Sequence, residues 1–173
     1  NDNMCQSHFH EFFELYYLES GERHHMIEGE LYHLTAHEFI IFPPNVMHHS
    51  YGDKNVPFKR IVLYFTPDMI VYPEVRSYLL ETARVFSLKK IKKSMIHLLL
   101  SMLHTELDKE EGLFQKEYLE NLLNQLLLTI LRADYTPVES TPRTRPAQAV
   151  NYIHEHYAEE ISVSALADML YVS

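Results

Sequence analysis

The stretch HFHEFFELYYLESG, residues 8–21, brings three potential metal ligands together. His8 and His10 are separated by one residue, and Glu14 follows shortly after them. Alternate residues of a β-strand face the same side, so all three side chains can point the same way. Two imidazoles and a carboxylate suit a borderline divalent ion such as Zn, Mn, Fe or Ni. His48, which follows a turn in FPPNVMHH, could supply a fourth ligand.

The same spacing raises an objection to a metal ion on a straight strand. At roughly 3.3 Å per residue, His10 and Glu14 would stand about 13 Å apart, which is too far for one ion. A metal site therefore requires a bend or bulge between them. Without one, the side chains would form the polar lining of a pocket for a small molecule. A third interpretation is the centre of a metal-dependent oxygenase or isomerase.

Other aromatic and histidine side chains extend or surround this candidate site. Tyr16 shares the strand face of Glu14 and is expected in the pocket, and Tyr32 joins it if the following hairpin has the matching register. The remaining histidines of the first fifty residues are expected mostly at the surface or at strand edges: His24, His25, His33, His37 and His49.

The composition predicts a globular chain without strong affinity for nucleic acid. Of its 173 residues, 46% are hydrophobic and 23% are charged, which excludes disorder. A net charge of −9 repels a phosphate backbone unless the basic residues cluster. Cys5 is the single cysteine, so no internal disulfide forms and a reducing, cytoplasmic location is expected. No apolar run is long enough for a membrane span, and no secretory signal is visible.

The first part of the chain, residues 8–66, has the pattern of short strands. Aromatic and β-branched residues dominate, and Glu28-Gly29 is a hairpin turn signal within HHMIEGELYHL. The segment EFIIF ends at two prolines, which stop a central strand. Regularly spaced short strands predict a β-sandwich or barrel.

The second part predicts two helices separated by Gly112. Apolar residues recur with helical spacing at Ile91, Met95, Leu98 and Met102, with lysines on the other face. A second helix is expected at about residues 113–133, and its leucine-rich face is wider than one core contact requires. We expect residues 88–134 to form a homodimer contact. The alternative is a helix that is unusually buried within one monomer.

The last part begins with a proline-rich segment, residues 135–146, that has the composition of a linker. After it, AQAVNYIHEHYAEEISVSALADMLYVS predicts two short helices, the second capped by Ser162. Two such helices are either half of a helix-turn-helix unit or an unrelated helical hairpin.

Two motifs of the first part resemble those of the cupin superfamily. Residues 8–21 have the form of its first motif, and PPNVMH resembles the second, in which a proline precedes the last ligand. The resemblance implies His8, His10, Glu14 and His48 as the metal ligands. His37 and Asn45 stand where the second motif usually has glycine. These departures concern the backbone turns more than the ligands.

The last segment resembles the start of an AraC-type DNA-binding domain. Together with the cupin-like part, it makes the chain similar to an AraC-type (AraC/XylS) transcriptional regulator. The resemblance implies an α+β fold with a cupin-like β-barrel, a double-stranded β-helix, at residues 1–70. A helical dimerisation region would follow at 71–134, a linker at 135–146 and the truncated start of a helix-turn-helix domain at 147–173.

The resemblance also implies a function without catalysis. A small-molecule effector, a sugar or related metabolite, would bind in the barrel and shift the dimer between two arrangements. The recognition helix would begin at Ser173, so only the missing C-terminal part would contact DNA. The expected ligand-binding residues are His8, His10, Glu14, Tyr16, Tyr32 and His48.

Overall fold

A computed structural model of the chain describes residues 8–53, 55–81, 84–87, 93–132, 136–137, 145, 148–149, 152–153, 156 and 160–170. The strands are β1 (Phe13–Ser20), β2 (Glu22–Ile27), β3 (Glu30–Thr35), β4 (Glu38–Phe42), β5 (His48–Tyr51), β6 (Lys59–Phe65), β7 (Arg84–Ser87) and β8 (Thr136–Pro137). The helices are α1 (Pro73–Leu80), α2 (Lys93–Leu107), α3 (Gln115–Leu131) and α4 (Val163–Met169), and a 3-10 turn spans Pro67–Met69. The strands predicted within residues 8–66 are confirmed.

Two antiparallel sheets form the barrel, and the predicted α+β class is confirmed. One sheet has the order β6-β1-β4-β7-β8, and the other has the order β3-β2-β5. Strand β1 lies between β4 and β6, so that Glu14 stands opposite both Phe42 and Tyr64. The inner faces of the two sheets meet in one buried cluster that includes Leu18 and Leu34. The ligand candidates on β1 and β5 therefore face the same interior.

Strand β1 separates this interior from a second core. Leu15 and Tyr17 pack into the cluster that joins the five-stranded sheet to α1, α2 and α3. Tyr16 and Leu18 point the other way, into the barrel. All four side chains are at most 1% exposed, because both faces of the strand are covered. The buried part of the strand is apolar or aromatic except for Glu14.

The hairpin between β2 and β3 has the turn that its sequence predicts. Glu28 and Gly29 both have positive φ, 48° and 83°, as a two-residue type I′ turn requires. The turn fixes the register that places His25 opposite Tyr32. Arg23 and His25 then share the inner face of β2.

His37 and Asn45, the two residues found where glycine is usual, retain the backbone that glycine would favour. Their φ angles are 72° and 64°, in the left-handed region. The departures from the cupin motif thus change the side chains and leave the turns in place. A residue with a Cβ is strained there, although asparagine tolerates this region better than most.

Substitution at Asn45 measures that strain. We expect Asn45→Ala to be less stable than Asn45→Gly by about 1 kcal/mol, because alanine has neither the freedom of glycine nor the local hydrogen bonding of asparagine. Urea unfolding of both variants is the measurement. Equal stabilities would show that this turn does not require the left-handed conformation.

Helix α2 is confirmed, but the stripe predicted from its periodicity is not the one that faces the core. Met95 and Leu98 are 46% and 55% exposed. The buried residues lie one position further along, at Ile96, Leu99, Leu100 and Leu103. The helix is therefore apolar on two adjacent stripes, and one of them remains at the surface of the chain.

Helix α3 is buried within the single chain. It packs against α2 and the 3-10 turn, and its buried leucines belong to the hydrophobic cluster shared with the five-stranded sheet. Asn124 is the polar exception. Its Oδ1 accepts a hydrogen bond from the Val71 backbone N–H at 3.1 Å, and its Nδ2 donates to the Met69 carbonyl at 2.8 Å. The alternative of an unusually buried helix within one monomer describes α3.

The C-terminal predictions are only partly within the described residues. Ser162 caps α4 as predicted, accepting a hydrogen bond from the backbone N–H of Ala165 at 3.1 Å. Thr136 and Pro137, within the predicted linker, pair with β7. Most of the linker, most of the first helix predicted in the last segment, residues 88–92 and Ser173 lie outside the described residues.

Candidate functional site

Four side chains at one end of the barrel bring their ligand atoms together. One atom each from His8, His10, Glu14 and His48 lies within 4.8 Å of all the others. His8 and His48 are joined by a β-bridge, with reciprocal backbone hydrogen bonds of 3.1 Å. Glu14 and His48 are 1% and 2% exposed, whereas His8 and His10 are partly exposed. The site is thus closed on the barrel side and open on the side of the two N-terminal histidines.

The bend that a metal site requires is present. Strand β1 begins only at Phe13, and the chain bends at Glu11 and Phe12. His10 therefore folds back, so that its Nε2 lies 3.1 Å from Oε2 of Glu14. The imidazole of His10 stacks on the ring of Phe12 with the planes 2° apart, which holds it in this position.

Backbone carbonyls fix the orientation of two of the imidazoles. Nδ1 of His10 donates to the Phe12 carbonyl at 2.7 Å, and Nδ1 of His48 donates to the Val46 carbonyl at 2.8 Å. A carbonyl only accepts, so Nδ1 carries the proton and Nε2 of each neutral ring has a lone pair. Both Nε2 atoms face Oε2 of Glu14, at 3.1 and 3.5 Å. Acceptors that face one another in this way require a proton or a cation between them.

The arrangement fits a divalent metal ion. Metal-binding histidines usually donate their other ring nitrogen to a carbonyl or carboxylate, as His10 and His48 do. Ligands at roughly 2.1 Å from an ion stand about 3–4 Å apart, so small inward movements of the side chains would complete the shell. Nε2 of His48 is buried and has no hydrogen-bond partner within the described part of the chain. Three nitrogens and one oxygen suit Zn, Mn, Fe or Ni.

The electrostatics of Glu14 agree with a site for positive charge. Burial alone would raise the pKa of its carboxyl, but the His48 and His10 side chains beside it outweigh burial and lower the pKa below its usual value of 4.5. Glu14 is therefore a carboxylate at neutral pH.

Tyr16 and Tyr32, the two predicted pocket tyrosines, are on opposite sheets of the barrel. Tyr16 is fully buried next to His25, with ring centroids 4.4 Å apart, and the side chains of Arg60 and Ser50 lie beside its hydroxyl. Burial, opposed only in part by Arg60 and Arg23, raises the pKa of Tyr16 above 10. Tyr32 packs at the edge of the inner cluster and donates to Glu30 at 3.0 Å.

Two histidines predicted at the surface are buried instead. His25 and His49 are each 1% exposed. His25 is inside the barrel because adjacent strand residues face opposite sides, so one of the pair His24 and His25 must point inward. His49 points away from the barrel, yet the outer side of β5 is covered at that position. His24, His33 and His37 have partial or full exposure, consistent with the prediction.

Two arginines inside the barrel were not predicted from the sequence. Arg23 is 2% exposed, donates to Oγ of Ser50 at 3.3 and 3.2 Å, and lies 4.3 Å from the ring centre of Phe58. Arg60 lies 5.7 Å from the ring centre of Tyr16 and 5.8 Å from that of Phe58. Strand alternation could have predicted the position of Arg60, because it puts Arg60 on the same strand face as Val62.

A groove of about 690 Å³ lies outside the barrel, between β6 and α2. Its floor is mostly apolar and includes Ile61, Leu63 and Leu100. At its rim the ammonium group of Lys59 is paired with Glu19 at 2.8 Å. The converging donor atoms are on the other side of the sheet, so we assign the site to the barrel.

Comparison with known proteins identifies the family. The family described as the AraC-like ligand binding domain matches residues 1–127. The solved structure of the AraC-like transcriptional activator CuxR is similar, with a TM-score of 0.53 and 11% identity over 98% of this chain and 60% of that one. Apo ToxT from Vibrio cholerae strain SCE256 has a TM-score of 0.49 and 10% identity, over 97% of this chain and 65% of that one.

Unsaturated fatty acid bound ToxT from the same strain has a TM-score of 0.46 and 10% identity, over 97% of this chain and 64% of that one. At such identities the likeness shows the fold alone, and this chain spans less than two thirds of the length of these proteins. No curated protein matches the chain. None of the described helices is long and apolar enough to cross a bilayer. With a family match over most of its length, the chain belongs to the AraC-like ligand-binding domain family.

Proposed function

We propose that the chain is the ligand-sensing and dimerisation portion of an AraC-family transcriptional regulator. It binds a small-molecule effector in the barrel and passes the change to a dimer. The observation that carries the proposal is the inward convergence of His10, His48 and Glu14 inside a barrel of this family. Residues 147–173, which include α4, would be the start of its helix-turn-helix domain, and a cytoplasmic location belongs to the same proposal.

The metal site is part of the sensor. His8, His10, Glu14 and His48 hold a divalent ion, which would supply a Lewis-acidic anchor for an effector oxygen. The partly exposed His8 and His10 leave the approach to this end of the barrel open. Tyr16 and Tyr32 contact the remainder of the effector. The four ligands alone would also suit a metal-dependent oxygenase or isomerase, but family membership favours a regulator.

The exposed stripe of α2 supports dimerisation. Met95 and Leu98 are about half exposed, whereas Met102 on the same side of the helix is partly buried against the core. Large apolar side chains that recur on one side of a surface helix are typical of a contact with another protein. The predicted dimer through residues 88–134 would therefore use α2 more than α3, whose leucines are already buried in the monomer.

The dimer is tested by sedimentation of the purified chain and of a Met95→Glu, Leu98→Glu double variant. We expect a dimer that the double variant converts to a monomer, since two buried carboxylates at an apolar interface are strongly unfavourable. His104→Glu introduces one carboxylate on the opposite flank of α2 and should leave the dimer intact. A monomeric parent chain would contradict the dimerisation proposal.

Effector control is tested on a full-length regulator that contains this chain. DNA binding in gel-shift assays should change when the metal-loaded protein is incubated with pools of small metabolites. His48→Ala should abolish that response while the protein remains folded. If the metal-loaded chain converts a metabolite and no metabolite affects DNA binding, the chain is an enzyme and the regulator proposal is wrong.

A further inference from the structure

The barrel interior contains a second group of polar side chains, which the metal site does not use. Both ring nitrogens of His25 are buried and have no hydrogen-bond partner among the described residues. The Tyr16 hydroxyl and Nη1 of Arg60 are also buried, and the side chains of Arg60 and Ser50 lie beside that hydroxyl. His25 and Tyr16 are 1% and 0% exposed. A buried polar atom without a partner is destabilising, so such a group is typical of a site completed by a ligand.

The group extends along the barrel from the metal site toward its opposite end. On β1 and β6, Glu14 stands opposite Tyr64, whereas Leu18 stands opposite Arg60. At roughly 3.3 Å per residue, Arg60 is about 13 Å further along the barrel than Glu14. Tyr16 and His25 lie between these two levels. The barrel therefore has a metal end, a middle with a phenol and an imidazole, and an end with guanidinium groups.

Two guanidinium groups lie at this end of the barrel, together with the buried carboxylate of Glu38, which accepts hydrogen bonds from the backbone N–H and hydroxyl of Thr35. The guanidinium groups of Arg23 and Arg60 lie on the same aromatic ring, that of Phe58, at 4.3 and 5.8 Å. Burial and the nearby charges of Arg23, His48 and Arg60 lower the pKa of His25 well below 6.5, so its ring is neutral and can both donate and accept. Guanidinium groups beside hydroxyl donors are the groups that bind carboxylate and phosphate oxygens best.

We infer that the effector carries an anionic group, a carboxylate or a phosphate, which binds between Arg60, Arg23 and the Tyr16 hydroxyl while His25 hydrogen-bonds a neighbouring polar atom. The inference rests on the proposed function, because it names the chemical class of the effector for that same barrel. The expected effector is therefore an organic acid or a phosphorylated metabolite, and not a neutral sugar.

Binding of simple anions to the metal-free chain tests this inference. Inorganic phosphate, succinate and glucose are titrated calorimetrically at constant ionic strength in chloride. We expect one or both anions to bind and glucose not to bind. Phosphate alone would assign a phosphorylated effector, and succinate alone a carboxylic acid. Failure of both anions, or binding of glucose alone, would overturn the inference.

Matched variants locate the binding. Arg60→Gln should weaken the binding of the anion roughly 10- to 100-fold, as expected for loss of a hydrogen bond to a charged group. Lys59→Gln, the next residue on the outer face, removes an equal charge and should have no effect. Unchanged affinity in Arg60→Gln would overturn the inference. If that variant does not fold, Tyr16→Phe is measured instead. It deletes a single oxygen and should weaken the binding of the anion by roughly 10-fold.

The inference and the proposed function fail in different ways. Metal content and dimerisation are measured on the same preparations. A chain that binds metal and dimerises but ignores both anions would overturn the inference and retain the sensor. A chain that binds an anion through Arg60 but neither binds metal nor dimerises would retain the anion site and reject those parts of the proposed function.

Discussion

The Glu14→Gln variant is expected to lose divalent metal binding by at least about 100-fold, because changes even to the partners of metal ligands cost 10- to 100-fold. The substitution preserves shape but removes the negative charge that two imidazole lone pairs face at 3.1 and 3.5 Å. An ion present at about 100 times its Kd stabilises a fold by about 2.7 kcal/mol. For a chain of this size that corresponds to a rise of roughly 5–10 °C in Tm.

Elemental analysis and thermal unfolding measure the two effects together. The parent chain should retain about one ion and gain Tm when metal is added, and Glu14→Gln should do neither. Glu11→Gln is the control, because Glu11 is exposed and lies at the bend without facing the cluster. If the parent chain contains no metal and its Tm is insensitive to every ion, the four residues are only polar lining.

The second large effect concerns pH. His25 is fully buried, and burial, followed by the charges of Arg23, His48, Arg60 and His49, lowers its pKa well below 6.5. The unfolded chain therefore binds a proton below pH 6.5 that the folded chain does not. The contribution of this residue to stability is present above pH 6.5 and decreases by about 1.4 kcal/mol for each pH unit below it. The decrease ends where the folded chain itself binds the proton.

Comparison with a variant isolates this contribution from those of the other titrating groups. Urea unfolding of the metal-free parent chain and of His25→Leu is measured between pH 7.5 and pH 5. Between these limits the free energy of unfolding of the parent chain should fall by about 2 kcal/mol more than that of the variant. The variant should have the flatter profile. His33→Leu, which removes an exposed imidazole, should follow the parent chain. Parallel profiles for the parent and His25→Leu would show that His25 is protonated in the folded barrel.

The elements that the sequence predicts are those with a strong local cause. The Glu28-Gly29 turn, the Ser162 cap and the helical periods all depend on residues within a few positions of each other. The four metal ligands were predicted from residue spacing and from motif resemblance, and their convergence depends on a bend at Glu11 and Phe12 that no turn residue signals. That bend is held by tertiary contacts, the His10–Phe12 stacking and the bridge between His8 and His48.

Other features were ambiguous for a physical reason. His24 and His25 have the same polarity, so only the register decides which of them is buried. Helix α2 is apolar on two adjacent stripes, and the period alone cannot tell which one meets the sheet. Long-range packing selects Leu99 and leaves Leu98 outside. The sequence therefore predicts which elements form better than which side of each element is covered.

Alternate residues along β1 belong to two different parts of the structure, the barrel interior and the core beneath the helices. Tyr16 and Leu18 contact only the interior cluster, while Leu15 and Tyr17 contact the cluster shared with the helices. Substitutions at the even-numbered positions of this strand can therefore change the pocket without altering the residues that support α2 and α3. This division makes the inner positions of β1 the first to vary when the pocket is redesigned, since the packing of the helices on the sheet does not depend on them.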